Sequence, residues 1–379
     1  MKYRNFGKLD WKPSALGFGC MRLPCVPGGQ AVDEAEAVKM IRYGIDKGIN
    51  YVDTAYPYHN GSSETVVGKA LQDGYRQKVK LATKSPVWLI KKPEDFDTLL
   101  GEQLKKLRTD HIDFYLLHAL SEERWGWVLK HKMLERAEAA LKDGRIGHLG
   151  FSFHDNYAAF PKIVDAYGGW SFCQIQYNYM DTGYQAGLKG LKYAASKGLA
   201  VIVMEPLRGG ALANPPKAVR EIFAAAPVRR TPAEWALRWV WDQPEVSLLL
   251  SGMSAMPQAE ENVRVAGAAD MNSLTAADQE LIAAARKKYE ERTPIPCTRC
   301  GYCMPCPNGL DIPYNFELYN AAEVYDDLGS ARFRYGNFME ESARAGACTG
   351  CRACEGKCPQ KIVISEWMPK AAALLAEKK

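Results

Sequence analysis

The feature that most constrains this chain is an alternation. From about residue 15 to residue 270, short β-prone runs take turns with amphipathic helical stretches. The runs are ALGFGC (15–20), NYVDTA (50–55), KLATKS (80–85), IDFYLLH (112–118), IGHLGFS (146–152), FCQIQYN (172–178), AVIVMEP (200–206) and VSLLLSG (246–252). Between them lie helical patterns such as DEAEAVKMIRYGIDKG and ERAEAALKDG, each closing on the glycine that commonly ends a helix. Consecutive strands separated by helices must run parallel, because only a crossover of this length returns the chain to the same end of the sheet. Eight such β units with helices after them predict a closed (β/α)₈ barrel, a TIM barrel in the α/β class, rather than an open doubly wound sheet.

A barrel needs roughly 250 residues, so a chain of 379 has room for an appendage. The segment LTAADQELIAAARKKYEER (274–292) reads as a helix leading out of the barrel, and TPIP then breaks it. The division predicted is therefore a barrel over 1–292 and a second domain over 293–379. With 47% apolar and 25% charged residues the chain can bury a large core, and disorder is not expected. A net charge of +5 without a block of like charges gives nothing to track a nucleic-acid backbone, so no nucleic-acid partner is expected. The N-terminus lacks the apolar core of a signal peptide, and no segment approaches the roughly 18 apolar residues of a membrane span. Those readings predict a cytoplasmic protein with no membrane association.

Eight of the eleven cysteines crowd beyond residue 296, while Cys20, Cys25 and Cys173 are scattered and read as ordinary apolar side chains. Clustered thiols in a reducing compartment read as ligands rather than disulfides. The first run is Cys297-x₂-Cys300-x₂-Cys303-x₂-Cys306-Pro307, and the second is Cys348-x₂-Cys351-x₂-Cys354-x₃-Cys358-Pro359. The second has the bacterial ferredoxin spacing, in which three cysteines hold one 4Fe–4S cluster and the cysteine before proline ligates the other. The expected sets are Cys297, Cys300 and Cys303 with Cys358, and Cys348, Cys351 and Cys354 with Cys306. The first run departs from the pattern by placing Met304 and Pro305 before its last cysteine. A structural zinc site would call for paired ligands closing a tetrahedron, which two triplets with trailing Cys-Pro do not resemble. The spacer NFELYNAAEVYDDLGSARFRYGNFMEESARAG is helical in pattern, so a mostly helical iron–sulfur domain is expected.

In a parallel barrel the chemistry sits at the C-terminal ends of the strands. Asp53 ends the second run, Tyr58 follows in its loop, Lys84 ends the third and His118 ends the fourth. A lysine beside a phenol favours the phenolate and should lower its pKa from about 10, while an aspartate keeps the lysine charged. His118 could then hydrogen-bond the same carbonyl oxygen that Tyr58 protonates.

With these residues in view, YVDTAYPYHNGSSE, LATKSP and DFYLLH resemble the aldo-keto reductase family, and the likeness spans residues 1 to about 290. The resemblance implies that Asp53, Tyr58, Lys84 and His118 form a catalytic tetrad and that NAD(H) or NADP(H) lies at the barrel mouth. It implies that Ser152 and Gln174 hold the nicotinamide carboxamide, and that Met204, Glu205, Leu207, Gly252 and Met253 line the cofactor. Ser254, Gln258, Glu261 and Asn262 fall at its adenosine end. The chain departs from the family in having Phe153 where asparagine is usual and Met204 where an aromatic often stacks. Relatives that prefer NADP commonly carry cations where this chain has Met253 and Gln258, and a 2′-phosphate without a cation loses charge-assisted hydrogen bonds, which leans the reading to NAD. Arg208 or Arg264 could still reach that phosphate. The spacer and cysteine spread of the last 85 or so residues resemble α-helical ferredoxin domains.

Tyr56, Trp88, Trp125 and Trp127 are the aromatic candidates for a substrate pocket, and such walls suit small carbonyl compounds and sugars alike. Two functions remain open at this level. One is a nicotinamide-dependent oxidoreductase whose clusters brace the fold or exchange electrons with a ferredoxin- or flavodoxin-like partner. The other is an electron-transfer or scaffold protein whose barrel only binds a cofactor or ligand. Nicotinamide moves two electrons as hydride and clusters pass them singly, and no flavin-binding fingerprint is present to mediate.

Overall fold

The computed structural model describes residues 1–376 apart from 28, 30, 298 and 300. Among the described residues, eight strands close a barrel in sequence order, every neighbouring pair parallel. They are β1 (Leu16–Gly19), β2 (Tyr51–Asp53), β3 (Lys80–Ser85), β4 (Ile112–Leu120), β5 (Ile146–Phe153), β6 (Phe172–Gln176), β7 (Ala200–Met204) and β8 (Val246–Gly252). Each of the eight runs read from the sequence is a strand.

The chain divides into two compact units, Met1–Gly209 with Ala233–Thr275, and Gly210–Pro232 with the chain from Ala276 onward. In the first, strand alternation sorts the side chains into two cores. Tyr51, Ala82, Phe114, Leu116, Phe172, Ala200, Ile202, Leu248 and Leu250 fill the barrel interior, whereas Val52, Leu81, Leu117, Phe151, Cys173, Val203 and Leu249 pack outward under the helices. The period of two then fixes the site. Asp53, Lys84, His118, Gln174, Met204 and Gly252 each follow an interior residue by two positions, so they share its inward face one layer higher. The other end is plugged. Isolated antiparallel bridges Tyr3↔Ser14 and Phe6↔Leu9 fold the N-terminus across it, with the Phe6 and Trp11 rings 4.9 and 5.4 Å from Phe114.

Crossover helices such as Glu34–Asp46, Ser63–Ala70 and Glu94–Leu107 cover the outer face, and their starts carry expected signals. Asp33 accepts a hydrogen bond from the Glu36 amide, and Ser121 caps Glu122–Lys130 by accepting from Arg124 N.

The second unit holds helices Lys217–Ala224, Ala276–Glu291, Ile312–Tyr325, Leu328–Asn337 and Ile364–Leu375. The helical spacer between the cysteine runs forms two helices, broken where Asp326 takes φ +52° and the Asp327 side chain accepts from Ser330 N. The units part at Ala276, ahead of the division after residue 292 read from the sequence. The reason is packing: Ala276–Glu291 lies against Lys217–Ala224, and the Tyr289 ring meets that of Tyr325 at a tilt, 5.1 Å between centres. The core of this unit is Ile295, Ile312, Phe316, Leu318, Ile362, Ile364 and Met368. Among the described residues, no helix is long and apolar enough to cross a membrane.

Candidate active site

The inward face of β2, β3 and β4 brings the first predicted residues together. Lys84 Nζ donates to Asp53 Oδ1 at 2.5 Å, to the Thr54 carbonyl at 2.8 Å and to the Tyr58 hydroxyl at 3.3 Å. The pair is almost wholly buried, with side-chain exposures of 1% for Lys84 and 3% for Asp53. Tyr58 opens a short 3₁₀ turn, Tyr58–Gly61, and stays partly exposed. The His118 ring meets it edge-on at 6.0 Å.

Burial works against the Lys84 ammonium, yet Asp53 and Tyr58 hold its pKa above the ordinary lysine value. Burial likewise raises the Asp53 carboxyl, opposed by the Lys84 charge. Burial and then the Lys84 charge push His118 well below the usual histidine range, so its ring is neutral at physiological pH. Tyr58 departs from the sequence expectation. Burial raises its phenol above the ordinary value, and Lys84 offsets that only in part. A phenol so placed keeps its proton at neutral pH and can donate it.

Two clamps hold the segment after His118. Ala119 takes φ +55°, its N–H donates to Ser152 Oγ at 2.7 Å and its carbonyl accepts from Arg124 Nη1 at 2.9 Å. Ser152 stands directly beside Gln174 across the β5–β6 pair, and Gln174 Oε1 is buried without a hydrogen-bond partner. A buried acceptor of this kind fits a carboxamide N–H donor. Met204 is partly exposed at the end of β7. Glu205 follows with φ +56°, its carbonyl accepting from Asn178 Nδ2 at 3.0 Å, and Leu207 is half-buried against the outer core. Phe153 is fully buried, packing 5.0 Å from Phe160 on the outer face, so the residue that replaces the family asparagine does not face the mouth.

After β8, Gly252 is exposed and Met253 is fully buried in the outer core, which leaves Met253 only its backbone to offer a cofactor. Ser254 N and Oγ both donate to Gln258 Oε1, at 2.8 and 3.3 Å, and both residues are exposed. Glu261 is half-buried, and buried Asn262 donates to Ser251 Oγ at 2.9 Å. Arg208 pairs with Asp181 at 3.1 Å and Arg264 with Glu234 at 3.2 Å.

Of the four aromatic pocket candidates, Trp88 is the one beside the site, 5.2 Å from His118. Tyr56 turns to Glu102 and lies under Lys106, Trp125 packs on Trp170, and Trp127 lies near Lys91. The sequence reading passed over two cations at the mouth. Arg22 runs beside Gly252 and Gly209, so that a β-carbon on Gly209 would stand 3.0 Å from its Nη2. Arg124 lies over the Trp88 ring at 5.1 Å. Its signal was available: a cation in the first turn of a helix opposes the helix dipole.

In the second unit the described cysteines divide between two cavities. Cys297, Cys303 and Cys358 line one, with Phe316 and Ile362. Cys306, Cys348, Cys351 and Cys354 line another, with Leu310 and Met368. The cysteine that precedes proline in each run, Cys306 or Cys358, thus faces the other run's cavity. Cys300 lies outside the described residues. The thiols surround these spaces rather than meeting at a point, and no three cysteine, histidine or carboxylate side chains among the described residues converge on a single-ion position. A polynuclear cluster fits such a donor set better than one zinc ion. Asn308 Nδ2 approaches Cys351 Sγ at 3.8 Å.

An eight-stranded parallel barrel with this buried Asp–Lys–Tyr group at its C-terminal mouth defines a class of oxidoreductases. The chain belongs to the aldo/keto reductase family, whose model matches residues 15–279, and residues 296–363 match the 4Fe–4S dicluster domain. It is 26% identical over 308 residues to an uncharacterized oxidoreductase, YqkF of Bacillus subtilis (strain 168), covering 71% of this chain and 92% of the relative. L-galactose dehydrogenase of Arabidopsis thaliana is 28% identical over 306 residues, covering 74% of this chain and 92% of that protein. Among solved structures, the holo form of aldo-keto reductase AKR11C1 from Bacillus halodurans is similar with a TM-score of 0.62 at 27% identity, over 75% of this chain and 96% of the other.

Proposed function

We propose that the barrel mouth reduces a carbonyl group, or oxidises the matching alcohol, with Asp53, Tyr58, Lys84 and His118 as its catalytic group. The observation that carries this reading is Lys84 Nζ lying within hydrogen-bond distance of both Asp53 Oδ1 and the Tyr58 hydroxyl on the buried inward face. A nicotinamide supplies or accepts the hydride when bound, with Gln174 and Ser152 as its carboxamide partners. Tyr58 gives its proton to the carbonyl oxygen. Lys84 stabilises the phenolate left behind, and Asp53 keeps Lys84 charged inside the barrel. Neutral His118 orients the same oxygen.

The lean to NAD rests on Met253 and Gln258 supplying no cation and on Arg208 and Arg264 already facing carboxylates. Met204, Glu205, Leu207, Gly252, Ser254, Glu261 and Asn262 complete the cofactor surface in this reading. A sugar substrate draws support from the likeness to L-galactose dehydrogenase. Two 4Fe–4S clusters with crossed ligands, Cys297, Cys300 and Cys303 with Cys358, and Cys348, Cys351 and Cys354 with Cys306, would exchange single electrons with a ferredoxin- or flavodoxin-like partner. Cysteines that ligate iron rather than pair as disulfides favour a reducing cytoplasm.

The test is Tyr58→Phe. Carbonyl reduction should fall by about 10²–10⁴-fold, while NADH affinity stays within a few fold, because the phenol acts in the transition state. Equal turnover in the variant would overturn the assignment.

A further inference from the structure

The barrel mouth holds a cation that the proposed chemistry does not use. Arg124 stands in the first turn of Glu122–Lys130, half-buried, with its guanidinium 5.1 Å over the Trp88 ring. Trp88 in turn lies 5.2 Å from His118. One guanidinium nitrogen, Nη1, donates to the Ala119 carbonyl. No carboxylate among the described residues lies within 4 Å of the group, and those on neighbouring elements are engaged elsewhere. Glu122 pairs with Lys162, Asp155 accepts from the Glu122 amide, and Asp181 pairs with Arg208. Exposed Glu123, next in sequence, is the carboxylate whose charge Arg124 feels, but it makes no ion pair with it, and burial outweighs it in lowering the guanidinium's pKa. The Arg124 charge is felt at His118 and His154, alongside that of Lys84.

A half-buried arginine with no carboxylate in direct contact has lost part of its hydration and gained no ion pair in return. Its planar fork presents further N–H donors beyond the one given to Ala119, and that geometry matches a carboxylate or phosphate. The tryptophan beneath places the guanidinium next to the ring that is to orient the substrate oxygen.

We propose that Arg124 is a specificity-determining residue that binds an anionic group, carboxylate or phosphate, carried by the carbonyl substrate. This rests on the carbonyl-reduction reading of the same mouth. The anion lies over Trp88 against Arg124, and the reacting carbonyl points to Tyr58 and His118. A neutral substrate of the same shape leaves Arg124 without a counterion and binds more weakly.

The experiment uses matched pairs on the intact protein. Turnover of 4-carboxybenzaldehyde is compared with benzaldehyde, and of glyceraldehyde 3-phosphate with glyceraldehyde, in wild type and Arg124→Met. Wild type should favour the anionic member of at least one pair by about 10- to 100-fold in kcat/KM, the range of a charge-assisted hydrogen bond, and Arg124→Met should collapse that ratio. Which pair responds tells carboxylate from phosphate. A ratio that survives the substitution would show that Arg124 only props Ala119, and the idea fails. A second readout needs no turnover: benzoate and inorganic phosphate are titrated against tryptophan fluorescence, with Trp88→Phe to assign the signal. Quenching lost in Arg124→Met supports the anion site even if neither pair is reduced, whereas quenching by neither anion overturns it. Failure of every aldehyde together with saturable, Arg124-dependent quenching would count against the carbonyl reading alone.

Discussion

Lys84 is the residue on which the site's electrostatics turn. It is enclosed, charged, and shared between a carboxylate and a phenol. Because Tyr58 lies above its ordinary value, its acid form persists through neutrality, and reduction should be lost only as pH rises through that raised value. His118 is depressed well below the ordinary histidine value, so it stays neutral as the pH falls past about 6.5 and adds no acid limb there. The expected pH profile of kcat/KM for reduction is therefore flat from about pH 6.5 to about 10, with one alkaline limb. A limb centred near 6.5 would contradict that picture. Lys84→Met removes the charge that offsets Tyr58's burial, so turnover should drop by about 10²-fold or more and the alkaline limb should move upward. Much of this group was legible in the chain, since strand-end position alone selects Asp53, Lys84 and His118. The direction of the Tyr58 shift was not, because burial depends on neighbours that spacing does not reveal. Met253 shows the same limit: its side chain belongs to the outer core, a choice made by packing.

At the scale of elements, parity explains why the strands were readable. Runs of apolar residues bounded by glycine and polar breaks gave each strand to within two residues at either end, and alternation then assigned the inner and outer faces. The N-terminal plug was not readable, because single-residue bridges such as Phe6↔Leu9 leave no periodic pattern. Helix packing is equally hidden, and it supports a paired prediction. Helix Ser63–Ala70 approaches Glu94–Leu107 so closely at Gly68 that a β-carbon there would lie 2.4 Å from the Lys106 carbonyl oxygen and 2.9 Å from Leu107 backbone atoms. Gly101, exposed on the second helix, has nothing within 4 Å of that position. Gly68→Ala should therefore destabilise, since overpacking costs about 1–3 kcal/mol against a propensity gain of at most about 1 kcal/mol. Gly101→Ala keeps the whole propensity gain and should stabilise by up to about 1 kcal/mol. Urea midpoints moving in opposite directions are the expected result, and a common direction would mean that the close contact relaxes without cost.

For the whole molecule, the question is what each compact unit needs in order to stay folded. The barrel unit has two large apolar cores. The second unit gathers a smaller core around two cysteine-lined cavities. With small cores, bound metal contributes folding free energy outright, because an unfolded chain holds no preformed site. Removing iron anaerobically with a strong chelator should therefore unfold the second unit while the barrel persists. Hydrogen exchange can follow this residue by residue. Helices Ile312–Tyr325, Leu328–Asn337 and Ile364–Leu375 should lose protection, and β1–β8 should keep theirs. The decisive segment is Lys217–Ala224, which in sequence falls between β7 and β8 but packs on Ala276–Glu291 in the second unit. If the two units are separate cooperative bodies, its amides should open together with the cluster helices and not with the strands that flank it in sequence. Protection of Lys217–Ala224 retained after iron removal would show instead that this helix is held without the clusters. Cys358→Ser and Cys306→Ser extend the test to single sites: each should lose the cluster whose cavity it lines, the first run's and the second run's respectively, as read by iron-to-protein ratio and by the spectra of the cluster that remains.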